Sequence, residues 1–358
     1  MKRVKIDDEA FISLSNIEAA IVKTAKNKNY KRKYIDKVVS NKRRFARALQ
    51  QMLKEESFEP KKRDPFIRED GIAGKLRVID SAPFWPDQIV HTLIITLAQP
   101  KMIKGMIPTS CACVPGRGPH YGKRILEKWV RKPKKQYFAK LDICKYYPNV
   151  KPELAESAVK HKFKDSKHRR TLLKIINAYD HLPIGLLTSQ WLANLILESA
   201  DHYAKEQINI KHYMRYMDDI VILGTNKRRL KNQVRDLADY LNQRGLTIKP
   251  NWCTHRLSYK DKTGKYQGKD IDFMGFRFFC DRTTIRKKLF RRLRRKALRL
   301  KTRKITPRAA RSVLSYYGWL KHTDTRKFYN KNIQKYIKTL KHIVRETDRK
   351  RGKNESTK

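Results

Sequence analysis

The chain has 358 residues, enough for two or three packed subdomains and a sizeable core. Lys and Arg number 85 against 34 Asp and Glu, a formal charge of +51. Self-repulsion of that size calls for a polyanionic partner, and the longest apolar runs, near residues 93–98 and 191–197, are far too short to span a bilayer. The N-terminus, Met1-Lys2-Arg3-Val4-Lys5-Ile6-Asp7-Asp8, has no apolar signal core, so a cytoplasmic protein without a membrane partner is expected. Cys111, Cys113, Cys144, Cys253 and Cys280 are odd in number and scattered, which argues against both a zinc module and a disulfide framework.

In chain order, residues 7 to about 56 read as helical: Phe11, Leu14, Ile17, Ala20 and Ile21 recur at helical spacing, and a second helix is predicted over about 34–54. The period then changes. Residues 65–68, a turn over 70–74 and residues 76–79 predict a β-hairpin. Helices follow over 85–99, after Pro86, and near 120–130. Residues 137–142 read as a strand that ends in an acid, residues 152–180 and 187–207 as helices, 213–224 as a hairpin, 227–243 as a helix and 246–248 as a strand. Another apolar stretch covers 271–279. Strand and helix mix irregularly, which predicts an α+β fold rather than a doubly wound parallel sheet. Between Arg286 and Lys304, 12 of 19 residues are Lys or Arg, yet Leu289, Leu293, Ala297 and Leu300 keep one apolar stripe. That is a helix with a narrow buried seam and a broad cationic face suited to tracking phosphates, with Arg291, Arg292, Arg294 and Arg295 as its nucleic-acid contacts. Helices over 307–320 and 326–345 carry Tyr316, Tyr317, Trp319 and Tyr336, and the chain from Asp348 reads as a disordered tail.

The chemistry concentrates in Tyr216-Met217-Asp218-Asp219, between two short apolar runs. A strand–turn–strand shape lifts two carboxylates onto a hairpin tip, where they repel each other unless cations neutralise them, so a divalent metal is the natural occupant. An Asp-Asp turn without chemistry is the plain alternative, since Asp favours turns for local reasons. Asp142 ends an apolar strand 76 residues earlier, with Tyr147 five residues on. Three carboxylates on neighbouring strand ends make a minimal cage for two Mg²⁺ ions, about 3.5–4 Å apart, that activate a 3′-hydroxyl and stabilise a leaving pyrophosphate.

These motifs, in this order, resemble those of reverse transcriptases over about residues 15–345. Lys75-Leu76-Arg77-Val78-Ile79-Asp80 resembles the hairpin that clamps the incoming nucleotide. Leu141-Asp142 with Tyr147 resembles the first catalytic motif, and Tyr216-Met217-Asp218-Asp219 the second. Leu182-Pro183-Ile184-Gly185, with Ser189 and Gln190, resembles the loop and helix that face template and nucleotide. Phe273-Met274-Gly275-Phe276 resembles the hairpin that grips the primer. The resemblance implies a right-hand polymerase fold: N-terminal helices and fingers over 1–135, a palm over 136–282 that includes the helical stretch 152–207 and the primer-grip hairpin 271–280, a basic helical thumb over 283–347, and the tail 348–358. It implies Asp142, Asp218 and Asp219 as catalytic residues that, with Ile143, hold two Mg²⁺ ions, for which Mn²⁺ can substitute. Lys75, Arg77, Tyr147, Ile184, Gly185 and Gln190 are the implied nucleotide-binding residues, with Tyr147 as the gate that collides with a ribose 2′-hydroxyl.

Ile184-Gly185, Ser189-Gln190, Lys249-Pro250-Asn251-Trp252, Asp272-Phe273-Met274-Gly275-Phe276-Arg277 and Ser315-Tyr316-Tyr317-Gly318-Trp319 resemble one branch, the reverse transcriptases of diversity-generating retroelements. That branch, bacterial or phage-encoded, copies a template RNA into cDNA with errors opposite adenines, works on an RNA/cDNA hybrid with dNTPs, and cooperates with a small basic accessory variability protein that forms an oligomer. Two departures matter. Trp252 stands where many reverse transcriptases carry a Lys suspected of protonating pyrophosphate, and Lys249 is the nearest replacement. No ribonuclease H-like or His/Cys-rich endonuclease segment is seen after the thumb, so polymerisation alone is expected. The competing readings are a group II intron-like or defence-associated reverse transcriptase, and a catalytically idle RNA-binding scaffold.

Overall fold

Ile89–Gly105 is the helix around which the N-terminal half packs. It is apolar on every side, with Ile89, Val90, Leu93, Ile94, Ile95, Ala98 and Met102 all buried, the signature of a helix enclosed by other elements. It runs through Pro100, where the sequence suggested an end near Gln99, and the turn before it, Phe84–Gln88, is a separate wide helical turn with Trp85 extended. The computed structural model describes residues 3–26, 28, 32–69, 76–132 and 135–356, with side chains as far as residue 349. These fall into two units: Met1–Gly118, Ala139–Ile222 and Arg228–Cys253 form the first, and Pro119–Phe138, Leu223–Lys227 and Thr254–Lys358 the second. Among the described residues no helix is long and apolar enough to cross a membrane, and all five cysteines are free.

In the first unit the long helices expected from periodicity are broken where side chains or tertiary contacts intervene. The N-terminal stretch becomes Asp8–Ile12, Leu14–Ala25, Arg32–Ser40 and Lys42–Lys54. Residues 152–180 split into Pro152–Lys162 and Lys167–Asn177. Ser166 caps the second piece by accepting from Arg169 N at 3.2 Å, while Lys164 N and Lys162 O pair with the backbone of Val4. Residues 187–207 form Leu187–Ile196, Glu198–His202 and a wide turn Tyr203–Gln207. Strands β1 (Arg63–Glu69) and β2 (Leu76–Ser81) form the expected antiparallel hairpin, pairing Phe66 with Ile79 and Arg68 with Arg77. The turn over 70–74 and Lys75 lie outside the described residues. Strands β3 (Tyr137–Asp142), β4 (His212–Tyr216) and β5 (Asp219–Gly224) lie in the order β4-β5-β3. The expected strand at 246–248 reduces to a single bridge between Ile248 and Ile143.

The second unit holds a three-stranded antiparallel meander, Ile271–Phe273, Phe276–Phe278 and Thr283–Ile285, and a helical part. Helices Lys287–Thr302, Pro307–Lys321 and Ile337–Ser356 share a core that includes Leu289, Leu293, Ala297, Val313 and Leu340. The last helix continues past Asp348, where the sequence suggested a disordered tail, as far as Ser356.

Candidate active site

Two backbone ladders bring the acidic motifs of the first unit together. Ile143 N donates to the carbonyl of Asp218 at 3.2 Å, which ties the end of β3 to the β4–β5 turn. On the other side of β3, Cys144 N donates to Thr247 O at 2.7 Å and Lys249 N to Asp142 O at 2.9 Å. Behind the turn, Ile220, Val221, Ile222 and Leu223 are all buried, so the two carboxylates stand at the tip of a hairpin anchored in the core. Met217 takes a left-handed φ of +55°, which turns the chain sharply between Tyr216 and Asp218.

The electrostatics show that the three acids share one neighbourhood. Burial raises the Asp218 pKa above the usual carboxylate range, and the charges of Asp219 and Asp142 raise it further, against the lowering effect of Arg77. Asp142 Oδ1 lies 2.5 Å from Lys249 Nζ, and Asp219 Oδ1 lies 3.6 Å from Lys140 Nζ. The contact with Asp142 is the main reason the Lys249 pKa is raised. Among the described residues no three His, Cys, Asp or Glu side chains form a group able to hold a metal ion. Asp142 and Asp219 each turn to a lysine instead. The donor set nevertheless fits Mg²⁺, which prefers oxygen ligands, takes only one or two protein carboxylates and completes its shell with water and phosphate.

Of the expected nucleotide-binding residues, Arg77 and Tyr147 lie within electrostatic reach of Asp218. Burial raises the pKa of the Tyr147 hydroxyl, and the nearby Cys113 and Asp218 raise it further, while Arg77 lowers it. Arg77 itself is exposed. Ile184 is half-buried, and both its backbone groups are held by Asp80: Ile184 N donates to Asp80 Oδ2 at 3.2 Å, and Asp80 N donates to Ile184 O at 2.7 Å. Gly185 has φ +122°, and a Cβ there would lie 2.4 Å from Asp80 O and 2.8 Å from Ile79 Cγ2, so only glycine lets the loop approach β2 this closely. Gln190 is exposed, and its Oε1 is 3.8 Å from Cys113 Sγ. A cavity of about 660 Å³ opens on the β2 side of this loop, lined by Lys23, Lys26, Arg63, Phe66, Ile79 and Gly185 among others.

Sequence reasoning missed what lies beneath the turn. Arg215 and Asp201 are completely buried and joined by two bonds of 2.7 Å. The signal was present in outline, as a lone Arg inside the apolar strand His212–Tyr216.

In the second unit, Phe273 and Phe276 of the expected primer-grip hairpin are fully buried and Met274 nearly so. They are core residues. Met274 and Gly275 have φ of +50° and +84°, and a Cβ on Gly275 would lie 2.6 Å from the Trp319 ring. Of the four arginines on helix Lys287–Thr302, Arg291, Arg294 and Arg295 are exposed and Arg292 is half-buried beside the apolar seam.

A hairpin-borne acid pair beside a strand-end acid is the arrangement of a nucleotidyltransferase. Residues 60–278, more than half of the chain, match the family described as reverse transcriptase (RNA-dependent DNA polymerase), and the chain belongs to that family. It is therefore an RNA-directed DNA polymerase with a polymerase fold of the α+β type, which takes an RNA template and dNTPs. No curated protein matches the chain.

Proposed function

We propose that this polymerase is of the diversity-generating kind and copies its template RNA into cDNA that carries errors opposite adenines, with Asp142, Asp218 and Asp219 as the catalytic carboxylates. The observation that carries the catalytic assignment is the bond from Ile143 N to Asp218 O, which puts the end of β3 against the acidic turn. Asp142, Ile143, Asp218 and Asp219 would hold two Mg²⁺ ions. Such ions, when bound, lower the pKa of the primer 3′-hydroxyl and neutralise charge on the leaving pyrophosphate. Burial around Asp218 strengthens each charge interaction at this point.

The remaining roles follow from the chain's own side chains. Arg77, whose charge reaches both Asp218 and Tyr147, meets the triphosphate of the incoming nucleotide. Tyr147, partly buried beside Asp218, leaves no room for a ribose 2′-hydroxyl and so selects deoxynucleotides. Lys249 stays protonated against Asp142 and supplies positive charge where pyrophosphate forms. The cavity beside Gly185, apolar at Phe66 and Ile79 and cationic at Lys23, Lys26 and Arg63, suits a template nucleotide and its phosphate. In the second unit the exposed Arg291, Arg294 and Arg295 track the phosphates of the RNA/cDNA hybrid, in the manner of a thumb.

Ile184 supports the error-prone reading. Asp80 occupies both backbone groups of Ile184, so this position offers a base pair only an apolar side chain. A mispair displaced by a fraction of an ångström forfeits no hydrogen bond there, and discrimination shrinks accordingly. A small basic accessory protein completes the proposed system. The experiment is to supply the purified protein with RNA templates and dNTPs and to sequence the cDNA: substitutions concentrated at template adenines support the proposal, and errors spread evenly over the four template bases refute its diversity-generating part.

A further inference from the structure

Arg215 is a fully buried arginine in an apolar strand, and every nitrogen of its guanidinium donates. Nε and Nη2 form a fork on Asp201, each at 2.7 Å. Nη1 donates to Asn194 Oδ1 at 3.0 Å and to the carbonyl of Met217 at 3.1 Å. Nη2 also donates to Ser110 Oγ at 3.1 Å. Asp201 in turn accepts from the buried Tyr213 hydroxyl at 2.8 Å. The backbone of Arg215 is fixed as well, since its N donates to Thr109 O at 3.1 Å and its O accepts from Cys111 N at 2.9 Å.

Stability does not account for this cluster. Stripping water from an arginine and a carboxylate costs about as much as their attraction returns, and apolar residues of similar volume commonly serve a core equally well. What the cluster does is local. The Met217 carbonyl belongs to the peptide plane that enters Asp218, so holding that oxygen fixes the plane and with it the direction in which the Asp218 side chain leaves the backbone. Met217 is also the residue in the left-handed conformation, the one most prone to relax if its partner is lost. The same guanidinium grips Asn194 on helix Leu187–Ile196, and the neighbouring Ala193 carbonyl accepts from the Tyr146 hydroxyl at 2.7 Å, next to Tyr147.

We infer that Arg215, oriented by Asp201, is the positioning residue of this polymerase: it locks the Met217 peptide so that the Asp218 carboxylate is aimed for catalysis, and it keeps that turn in register with the helix that supports Tyr146 and Tyr147. The inference rests on the reading of Asp218 as a catalytic carboxylate.

Three variants test it: the double substitution Arg215→Met with Asp201→Leu, the single Arg215→Lys, and Asp218→Asn as the control. The double variant removes both buried charges together, so no unpaired charge is left in the core, and it is expected to stay folded. Its kcat for dNTP addition on an RNA template falls by at least about 100-fold, as for a displacement of about 1 Å at the reacting centre, while KM for dNTP and RNA affinity stay unchanged. Its affinity for Mn²⁺, followed by electron paramagnetic resonance on the protein without nucleic acid, falls as well. Arg215→Lys keeps the charge pair but cannot reach Met217 O and Asn194 together, so it shows the same loss of kcat with its fold retained. If the double variant does not fold, Arg215→Lys decides alone. Wild-type kcat and Mn²⁺ binding in a folded Arg215 variant, beside an inactive Asp218→Asn, overturn the positioning role and leave the acidic trio standing. An active Asp218→Asn removes the trio reading and the inference with it.

Discussion

Replacing Gly185 with Ala probes the junction on which the proposed nucleotide site depends. The new Cβ would lie 2.4 Å from Asp80 O and 2.8 Å from Ile79 Cγ2, and the backbone there has φ +122°. Ordinary contact begins at 3.4 Å, so the loop and the end of β2 must part by about 1 Å. The conformation alone costs about 1–3 kcal/mol for a residue with a side chain. Crowding against a backbone carbonyl, which has little freedom to retreat, adds about 1–3 kcal/mol. The separation also stretches the bonds between Ile184 and Asp80, which are 3.2 and 2.7 Å long, and a shift of about 1 Å at a substrate-facing loop costs about 100-fold in rate. The assay is kcat/KM for dNTP on an RNA template, with urea unfolding alongside. Two controls separate the causes. Gly116→Ala carries a left-handed φ of +75° but meets nothing within 4 Å, so it loses stability without losing kcat/KM. Gly118→Ala meets nothing and has no such φ, so it behaves as wild type. A Gly185→Ala enzyme with wild-type kcat/KM and unchanged unfolding would refute the close approach and its part in substrate binding.

Other outcomes follow from the same geometry. Tyr147→Ala should admit ribonucleotides, so the ratio of kcat/KM for dNTP to that for rNTP falls, whereas equal loss for both would mean that Tyr147 only packs. Changing Arg291, Arg292, Arg294 and Arg295 to Gln should flatten the salt dependence of RNA/DNA binding by about 0.7–0.9 in log–log slope per lost phosphate contact, with Arg292 contributing least because it is half-buried. Ile184→Gln should reduce misincorporation opposite template adenine by roughly fivefold, the value of one hydrogen bond of about 1 kcal/mol, as read by sequencing cDNA from both enzymes on one template.

The parts of the fold that were legible in sequence are those encoded by local pattern. The β1–β2 hairpin, β3 ending in Asp142 and the β4–β5 hairpin all follow from short apolar runs bounded by turn residues. Helix ends were less legible because tertiary contacts set them. Nothing periodic marks the break at residues 163–166, which exists because Val4 pairs with the backbone there and Ser166 caps the next helix. Ile248 was read as strand because it is β-branched and apolar, yet only one bridge forms at that segment. At the site, the carboxylates could be picked out because their spacing and setting are unusual for a bland turn. Lys140 could not, because it is one among many cations in a chain of charge +51, and Lys249 stood out only by its place near Trp252, not as the partner of Asp142. The Arg215–Asp201 fork was legible only as a lone Arg in an apolar strand: its members sit on different elements, and only the folded chain brings them into contact. Phe273 and Phe276 show a further limit, since a motif that marks a position along the chain does not say that its side chains are buried in the core.

The most direct test of the account is primer extension on an RNA template by Asp142→Asn and Asp218→Asn, with RNA affinity measured on the same preparations. Both substitutions keep the shape of the side chain and remove a charge from a group whose members perturb one another. The account expects DNA synthesis to vanish in both while RNA binding, carried by the large cationic excess, stays near wild type. Extension at the wild-type rate by either variant would contradict it.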